Sequence, residues 1–314
     1  MAHATDRWSH PAVILVATDL SDIGRLMPYA LEQGALTGAH LILLHVIATS
    51  ESITADAAGL PYYDPGAALE LAAKALDSCC AMARQRIVAC DGLVREGNAA
   101  QQVLSAARQF KADRILLGTR SRGKVSKLLI GSVAEQVLRS ANIPVITVGP
   151  EAHLHVESSE PERVVLHATT LRETSRPSAA LACRIASTLD AKVVLLHVLP
   201  PQETERKGLP TGLHSAAIQE VRTLAAETSI ESSVPVEPQV VLGNPSIEIL
   251  AKAAELHASL IVLGATHRSV FENLTRDRTV YTVLAHARCP VMTLRELDSQ
   301  KDENVIAGMA MHAQ

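Results

Sequence analysis

Two places in the chain carry residue types and spacings that could do chemistry. The first is Asp19, directly after the apolar run Val13-Ile-Leu-Val-Ala-Thr. A carboxylate at the end of a buried strand can accept a hydrogen bond from an exocyclic amine or a hydroxyl of a ligand. A helix-cap role stands beside that reading, because Ser21 and Asp22 follow and both favour such positions. The second place runs from Gly118 to Glu135 and holds Arg120, Ser121, Arg122, Lys124 and Lys127 before Gly131-Ser132-Val133. Gly118 ends an apolar run, and Gly131-Ser132 opens a helical pattern. Free N–H groups and the positive dipole end of that helix would suit a phosphate. A glycine at 131 would let it approach the backbone closely. Ser132 and Glu135 also have the spacing of a capping box, so a capped helix after a basic loop is the competing reading.

Other chemistries fit poorly. Gly118-Thr-Arg-Ser-Arg-Gly123-Lys124-Val125 is a near-match to a P-loop, but Val125 lacks the hydroxyl that would coordinate Mg²⁺. Lys124-Val-Ser-Lys127 is similar to the lysine loop of class I aminoacyl-tRNA synthetases, yet no His-x-Gly-His partner exists. The 13 histidines form no His-Glu-x-x-His pattern, so no metal site is expected. Five cysteines without a Cys-x-x-Cys predict reduced, buried thiols. No nucleophile with an adjacent base stands out, so no catalytic residue is assigned and the chain reads as a non-enzyme, at most a slow ATPase.

The elements that must position these residues are visible through an internal repeat. Val13-Ile-Leu-Val-Ala-Thr-Asp19 returns as Val164-Val-Leu-His-Ala-Thr-Thr170, and Leu43-Leu-His45-Val46 returns as Leu195-Leu-His197-Val198. Gly97-Asn98 returns as Gly243-Asn244, and Ile143-Pro144-Val145 as Cys289-Pro290-Val291. Gly97 lies 21 residues before Gly118, and Gly243 lies 21 before Gly264. Continuous β-branched and Leu runs predict buried parallel strands near 12–18, 40–46, 92–96, 113–118 and 143–148. Helical patterns such as Ala67–Val88 and Ala99–Phe110 supply the crossovers. The expectation is two α/β domains, 11–150 and 161–296, each a doubly wound, Rossmann-like, five-stranded parallel sheet. The polar stretch Gly149–Glu162 would link them, and the tail after Leu297 would fray. The apolar runs Ile143–Val148 and Pro290–Leu294 would be unprotected edges, so they are expected to pair within the chain as an internal pseudo-dimer.

With these motifs in place, the chain resembles the universal stress protein family, with two such domains in tandem, from about Pro11 to Arg295. Nucleotide-binding members carry an aspartate after the first strand, then G-x2-G-x9-G-(S/T) before the last helix. Here that pattern reads Gly118-Thr-Arg-Ser121, nine residues, Gly131-Ser132, with Ser121 in place of the second glycine. The resemblance implies that Asp19 and the backbone around Ala17 and Val46 hold adenine and ribose. It implies that Gly118, Arg120, Ser121, Gly131, Ser132 and Val133 line the phosphates. The second half departs further: Thr170 replaces the aspartate, and Asp277 and Arg278 fall where Gly131 and Ser132 stand. A carboxylate facing a phosphate is repulsive, so the second domain is expected not to bind ATP this way. His167, His197 and His267 lie near its strand ends, and the shared repeat position of His45 and His197 favours a structural role.

Composition bounds the partners. Lys+Arg is 29 and Asp+Glu 33, a net charge of −4, and aromatics are 2%. That gives no electrostatic case for nucleic acid or an anionic membrane. No apolar run approaches the ~18 residues of a membrane helix, and Met1–His10 has no apolar signal region, so a cytoplasmic protein is expected. The leading expectation is a stress-response protein that binds ATP, or ADP or AMP, in its first domain, with Mg²⁺ carried in by the phosphates. The nucleotide would signal conformation or assembly, with little or no hydrolysis, in a homodimer. The alternative is a non-nucleotide scaffold for a protein or apolar partner. A third reading, an adenylate-forming enzyme, meets Thr18-Asp-Leu-Ser-Asp where its S-G-G-x-D-S loop would stand.

Overall fold

The computed structural model describes residues 7–48, 65–119, 130–153, 163–171, 175–200, 210–266 and 278–296. Arg120, Ser121, His267 and Asp277 lie outside them, as do Tyr62–Asp64 (a lid or a loop by sequence), most of the expected linker and the tail after Leu297. The chain divides into two compact units: Met1–Glu160 with Leu284–Met292, and Pro161–Val283 with Thr293–Gln314.

In the first unit the apolar runs form strands β1 (Val13–Thr18), β2 (His40–Ile47), β3 (Cys90–Glu96), β4 (Arg114–Gly118) and β5 (Val145–Val148). Helices α1 (Ile23–Thr37), α2 (Pro65–Gln85), α3 (Ala99–Gln109) and α4 (Ser132–Ser140) alternate with them. The strand order is β3-β2-β1-β4-β5, with every recorded pairing parallel. Ile14 sits opposite Leu41 on one side and Arg114 on the other. Ile14, Leu15 and Val16 are fully buried, as a sheet covered on both faces requires. The helix expected to reach Val88 stops at Gln85. Ile87 takes a positive φ of 60°, and the Val88 N–H turns back to the Ala83 carbonyl at 3.0 Å. The chain reverses at Gly97, whose φ of +117° suits glycine, and Asn98 then caps α3 by accepting the Gln101 N–H at 3.0 Å. Residues 284–292 pack into this unit: the Thr147 hydroxyl donates to the Val291 carbonyl at 3.3 Å, and the His153 N–H to the Arg288 carbonyl at 2.9 Å. All five cysteines are buried and outside any disulfide, and the Cys80 and Cys90 sulfurs share a hydrogen bond at 3.0 Å.

The second half of the chain repeats the plan with β6 (Arg163–Thr169), β7 (Ala191–Leu199), β8 (Val236–Leu242), β9 (Leu260–Thr266) and β10 (Val291–Glu296), of which Val291 and Met292 belong to the first unit. Its helices are α5 (Arg176–Leu189), α6 (Pro210–Ser232), α7 (Pro245–Glu255) and α8 (Arg278–His286), the last three residues of α8 belonging to the first unit. The order β8-β7-β6-β9-β10 matches the first unit strand for strand. Asn244 caps α7 as Asn98 caps α3, accepting the Ser246 N–H at 3.1 Å. The histidine pair is repeated too. His45 Nδ1–H donates to the Thr18 carbonyl at 2.9 Å, and His197 Nδ1–H to the Thr169 carbonyl at 2.9 Å. A carbonyl only accepts, so the proton sits on Nδ1 in both. Each imidazole pins the end of the neighbouring strand.

His167 occupies the repeat position of Val16 and is wholly buried in β6, its Nδ1–H donating to the Val262 carbonyl at 3.0 Å. Burial lowers its pKa to about 4, only partly opposed by that bond. The unfolded chain, with a pKa near 6.5, therefore takes up a proton first as pH falls. The stabilising contribution is complete above about pH 6.5 and is lost between there and pH 4, amounting to about 3 kcal/mol. His167→Val, which copies the first unit's residue, should remove that part of the acid sensitivity. Urea unfolding at pH 7 and pH 4.5 reads it as a shallower pH dependence than the parent's. Identical slopes would contradict the buried neutral imidazole.

Candidate functional site

In a doubly wound sheet the crevice forms beyond the carboxyl ends of the two strands at which the order reverses. In the first unit those strands are β1 and β4. The chain leaves β1 through Thr18 and Asp19, and leaves β4 through Gly118 and Thr119. A cleft of about 200 Å³ opens there. Ala17, Asp19, Val46, Gly118, Gly131, Ser132 and Val133 all line it, so seven residues singled out in the sequence meet in one place. Arg120 and Ser121 lie outside the described residues. Ala17, Leu44, Val46, Val103 and Leu117 give the cleft an apolar side suited to a planar ring.

The polar side is built by α4. Its N-cap is Gly131, which makes no side-chain cap bond. The capping box expected from Ser132 and Glu135 is therefore absent. Helix α4 starts so that Ser132 is its first residue, and the Glu135 side chain pairs instead with Arg139 one turn on. The Gly131 N–H is spent on the Thr119 carbonyl at 2.8 Å. The next residues, Ser132, Val133 and Ala134, begin the helix at the wall of the cleft. Their N–H groups have no intrahelical acceptor and carry the positive end of the dipole. Gly131 has φ −59° and ψ 144°, so its glycine is not required by backbone strain.

Asp19 does not cap a helix. Its Oδ1 accepts the Ser21 N–H at 2.8 Å and the Ser21 hydroxyl at 2.6 Å, and the side chain stays exposed at the mouth of the cleft. The residue at the N-cap of α1 is Asp22, and it makes no cap bond with its side chain either. Sequence reasoning gave Asp22 no role of its own in the site. It is buried, lines the cleft, and accepts the Thr18 hydroxyl at 2.6 Å through Oδ1. Burial raises its pKa above the usual carboxylate range, the Thr18 bond opposes this, and the Asp19 charge adds to it. A Cβ at Gly118 would overlap Asp22 Oδ2, which explains the glycine at the end of β4. Thr119 was missed too: it lines the cleft, and its hydroxyl is buried with no hydrogen-bond partner among the described residues. The Thr18-x3-Asp22 spacing was the only sequence signal for the first of these. Nothing marked the second.

The matching place in the second unit keeps the backbone and loses the carboxylate. Leu20 and Leu171 both take positive φ, at 68° and 56°. Thr18 Oγ1 accepts the Leu20 N–H at 2.9 Å, and Thr169 Oγ1 accepts the Leu171 N–H at 3.2 Å. Where Asp19 reaches Ser21, Thr170 meets the Ser175 hydroxyl at 3.1 Å. No group of three or more His, Cys, Asp or Glu among the described residues could hold a metal ion. No helix among them is long and apolar enough to cross a membrane.

Comparison with known proteins places these features. The model of the Universal stress protein family matches residues 12–149 and 162–295. A universal stress protein of Thermus aquaticus is 32% identical over 136 residues, 43% of this chain and 96% of that protein. One from Mycobacterium tuberculosis is 26% identical over 193 residues, 59% of this chain and 63% of its own length. The crystal structure of a universal stress protein from Archaeoglobus fulgidus superposes with a TM-score of 0.68 at 20% identity, covering 92% of this chain and 97% of that one.

Proposed function

Since the chain belongs to the universal stress protein family, with two of its domains in tandem, we propose that its first unit binds an adenine nucleotide. ATP is the ligand, with ADP and AMP as smaller occupants of the same cleft. Occupancy acts as a conformational or assembly signal in a homodimer, with little or no hydrolysis. The observation that carries this reading is the convergence of Ala17, Asp19, Val46, Gly118, Gly131, Ser132 and Val133 on one cleft at the switch point of the sheet. The apolar side takes the base. Asp19, at the mouth, takes a donor from the base or the ribose. The first turn of α4 faces the phosphates with N–H groups that have no intrahelical acceptor. Mg²⁺ arrives with the phosphates. Among the described residues, no group near the cleft is set up as a nucleophile with its base.

Calorimetric titration of the intact chain with Mg-ATP tests this. Binding at millimolar concentration or tighter is expected, weakened in Asp19→Ala. Affinity weaker than millimolar would overturn the proposal and favour a partner-binding scaffold.

A further inference from the structure

A second cavity, of about 300 Å³, lies in the first unit at the amino ends of the strands, away from the cleft just described. Its walls are Trp8, Leu104, Ala107, Ile115 and Ile143, from the segment before β1, from α3, from β4 and from the turn before β5. Three cations line it, Arg7, Arg108 and Lys111, with one anion, Asp113.

The anion is already committed. Asp113 Oδ2 accepts the Ala12 and Val13 N–H groups at 2.8 and 3.1 Å, and Oδ1 pairs with Arg7 at 2.8 Å. Arg108 and Lys111 are exposed at the rim and have no acidic partner among the described residues. The end of α3 accounts for cations there through its dipole. It does not account for an apolar pocket beside them. That pocket is held open by a built wall. The buried Arg114 guanidinium donates to the Trp8 carbonyl at 2.9 and 2.7 Å and to the Ser9 carbonyl at 3.0 Å, which fixes the indole-bearing segment. The result is a preformed apolar pocket, of the size that takes small ligands, with two positive charges at its edge that no acidic side chain among the described residues pairs.

We propose that this pocket binds a small amphipathic monoanion: an apolar chain or ring inserted against Trp8 and Ile143, with a carboxylate at the rim between Arg108 and Lys111. Charge and apolar area act together, so neither an amine of the same shape nor a polyphosphate satisfies both.

Trp8 is the single tryptophan of the chain, so its emission reports the pocket directly. The intact protein is titrated with octanoate, then with octylammonium, each with and without saturating Mg-ATP. Octanoate should shift the Trp8 emission saturably to the blue, unaffected by ATP, and octylammonium should not. Octanoate affinity should fall about tenfold or more in the double variant Arg108→Gln/Lys111→Gln, as loss of a charge-assisted contact predicts. Its far-ultraviolet dichroism and unfolding midpoint check that this variant folds, and Lys111→Gln alone provides a milder second test. An absent or non-saturable shift, equal binding of the amine, unchanged affinity in the variants, or displacement by ATP would each overturn the proposal.

Discussion

Gly131→Asp should weaken ATP binding at least ~100-fold while leaving the fold as stable as the parent or slightly more so. The two effects have opposite signs because the position has two roles. Gly131 is the N-cap of α4, where aspartate is among the preferred residues, and its extended backbone accommodates any side chain. A helix start should therefore gain. The same carboxylate would sit where the phosphates approach, and two like charges a few ångströms apart at an effective dielectric near 20 repel by several kcal/mol. The substitution copies Asp277, which the repeat places at the matching position of the second domain. Calorimetric titration reads the loss of affinity, and a thermal melt reads the stability. ATP affinity within a few-fold of the parent would contradict the placement of the phosphates at α4.

Arg114→Met should lower the unfolding free energy by about 3 kcal/mol. Arg114 opens β4 and is 1% exposed. Among the described residues, no carboxylate pairs with its guanidinium. It is satisfied by the Trp8 and Ser9 carbonyls and by Gln33 Oε1 at 2.7 Å. Burial lowers its pKa to about 10, which leaves it charged at neutral pH. Methionine would fill much of the volume and remove the cost of burying a charge. It would also strand three acceptors, at about 1–3 kcal/mol each when they stay dry. Chemical denaturation reads the total. Limited proteolysis near Trp8 should quicken, since the only ties recorded from the guanidinium to that segment would be gone. An unchanged unfolding midpoint would mean that the segment rests on something other than Arg114.

The sheet was legible because parallel strands buried on both faces cannot avoid continuous apolar runs, and because the repeat wrote each strand twice. Val13–Thr18 and Arg163–Thr169 stop at matching positions, and start within one residue of each other, for that reason. The cleft was legible because its glycines and its aspartate stand at strand and helix ends, where local sequence signals are strongest. Residues whose roles come from tertiary burial were not. Asp22 looks like one more polar residue in a turn, until α1 buries it beneath Gly118. Arg114 reads as the polar flank of a strand, yet it reaches across to carbonyls more than a hundred residues away. The Ser132–Glu135 spacing misled because helix α4 begins one residue too early for Ser132 to cap it, and Arg139 gives Glu135 a better partner. The pocket beside Trp8 had no sequence signal, since it joins three stretches of chain far apart in sequence.

The central claim is one nucleotide per chain, held in the first unit. Equilibrium dialysis of the intact protein against labelled ATP in the presence of Mg²⁺ measures the stoichiometry directly. The account predicts saturation at about one ATP per chain, and none in Gly131→Asp. Saturation near two per chain would contradict the silence of the second unit, and no saturable binding would contradict the nucleotide site itself.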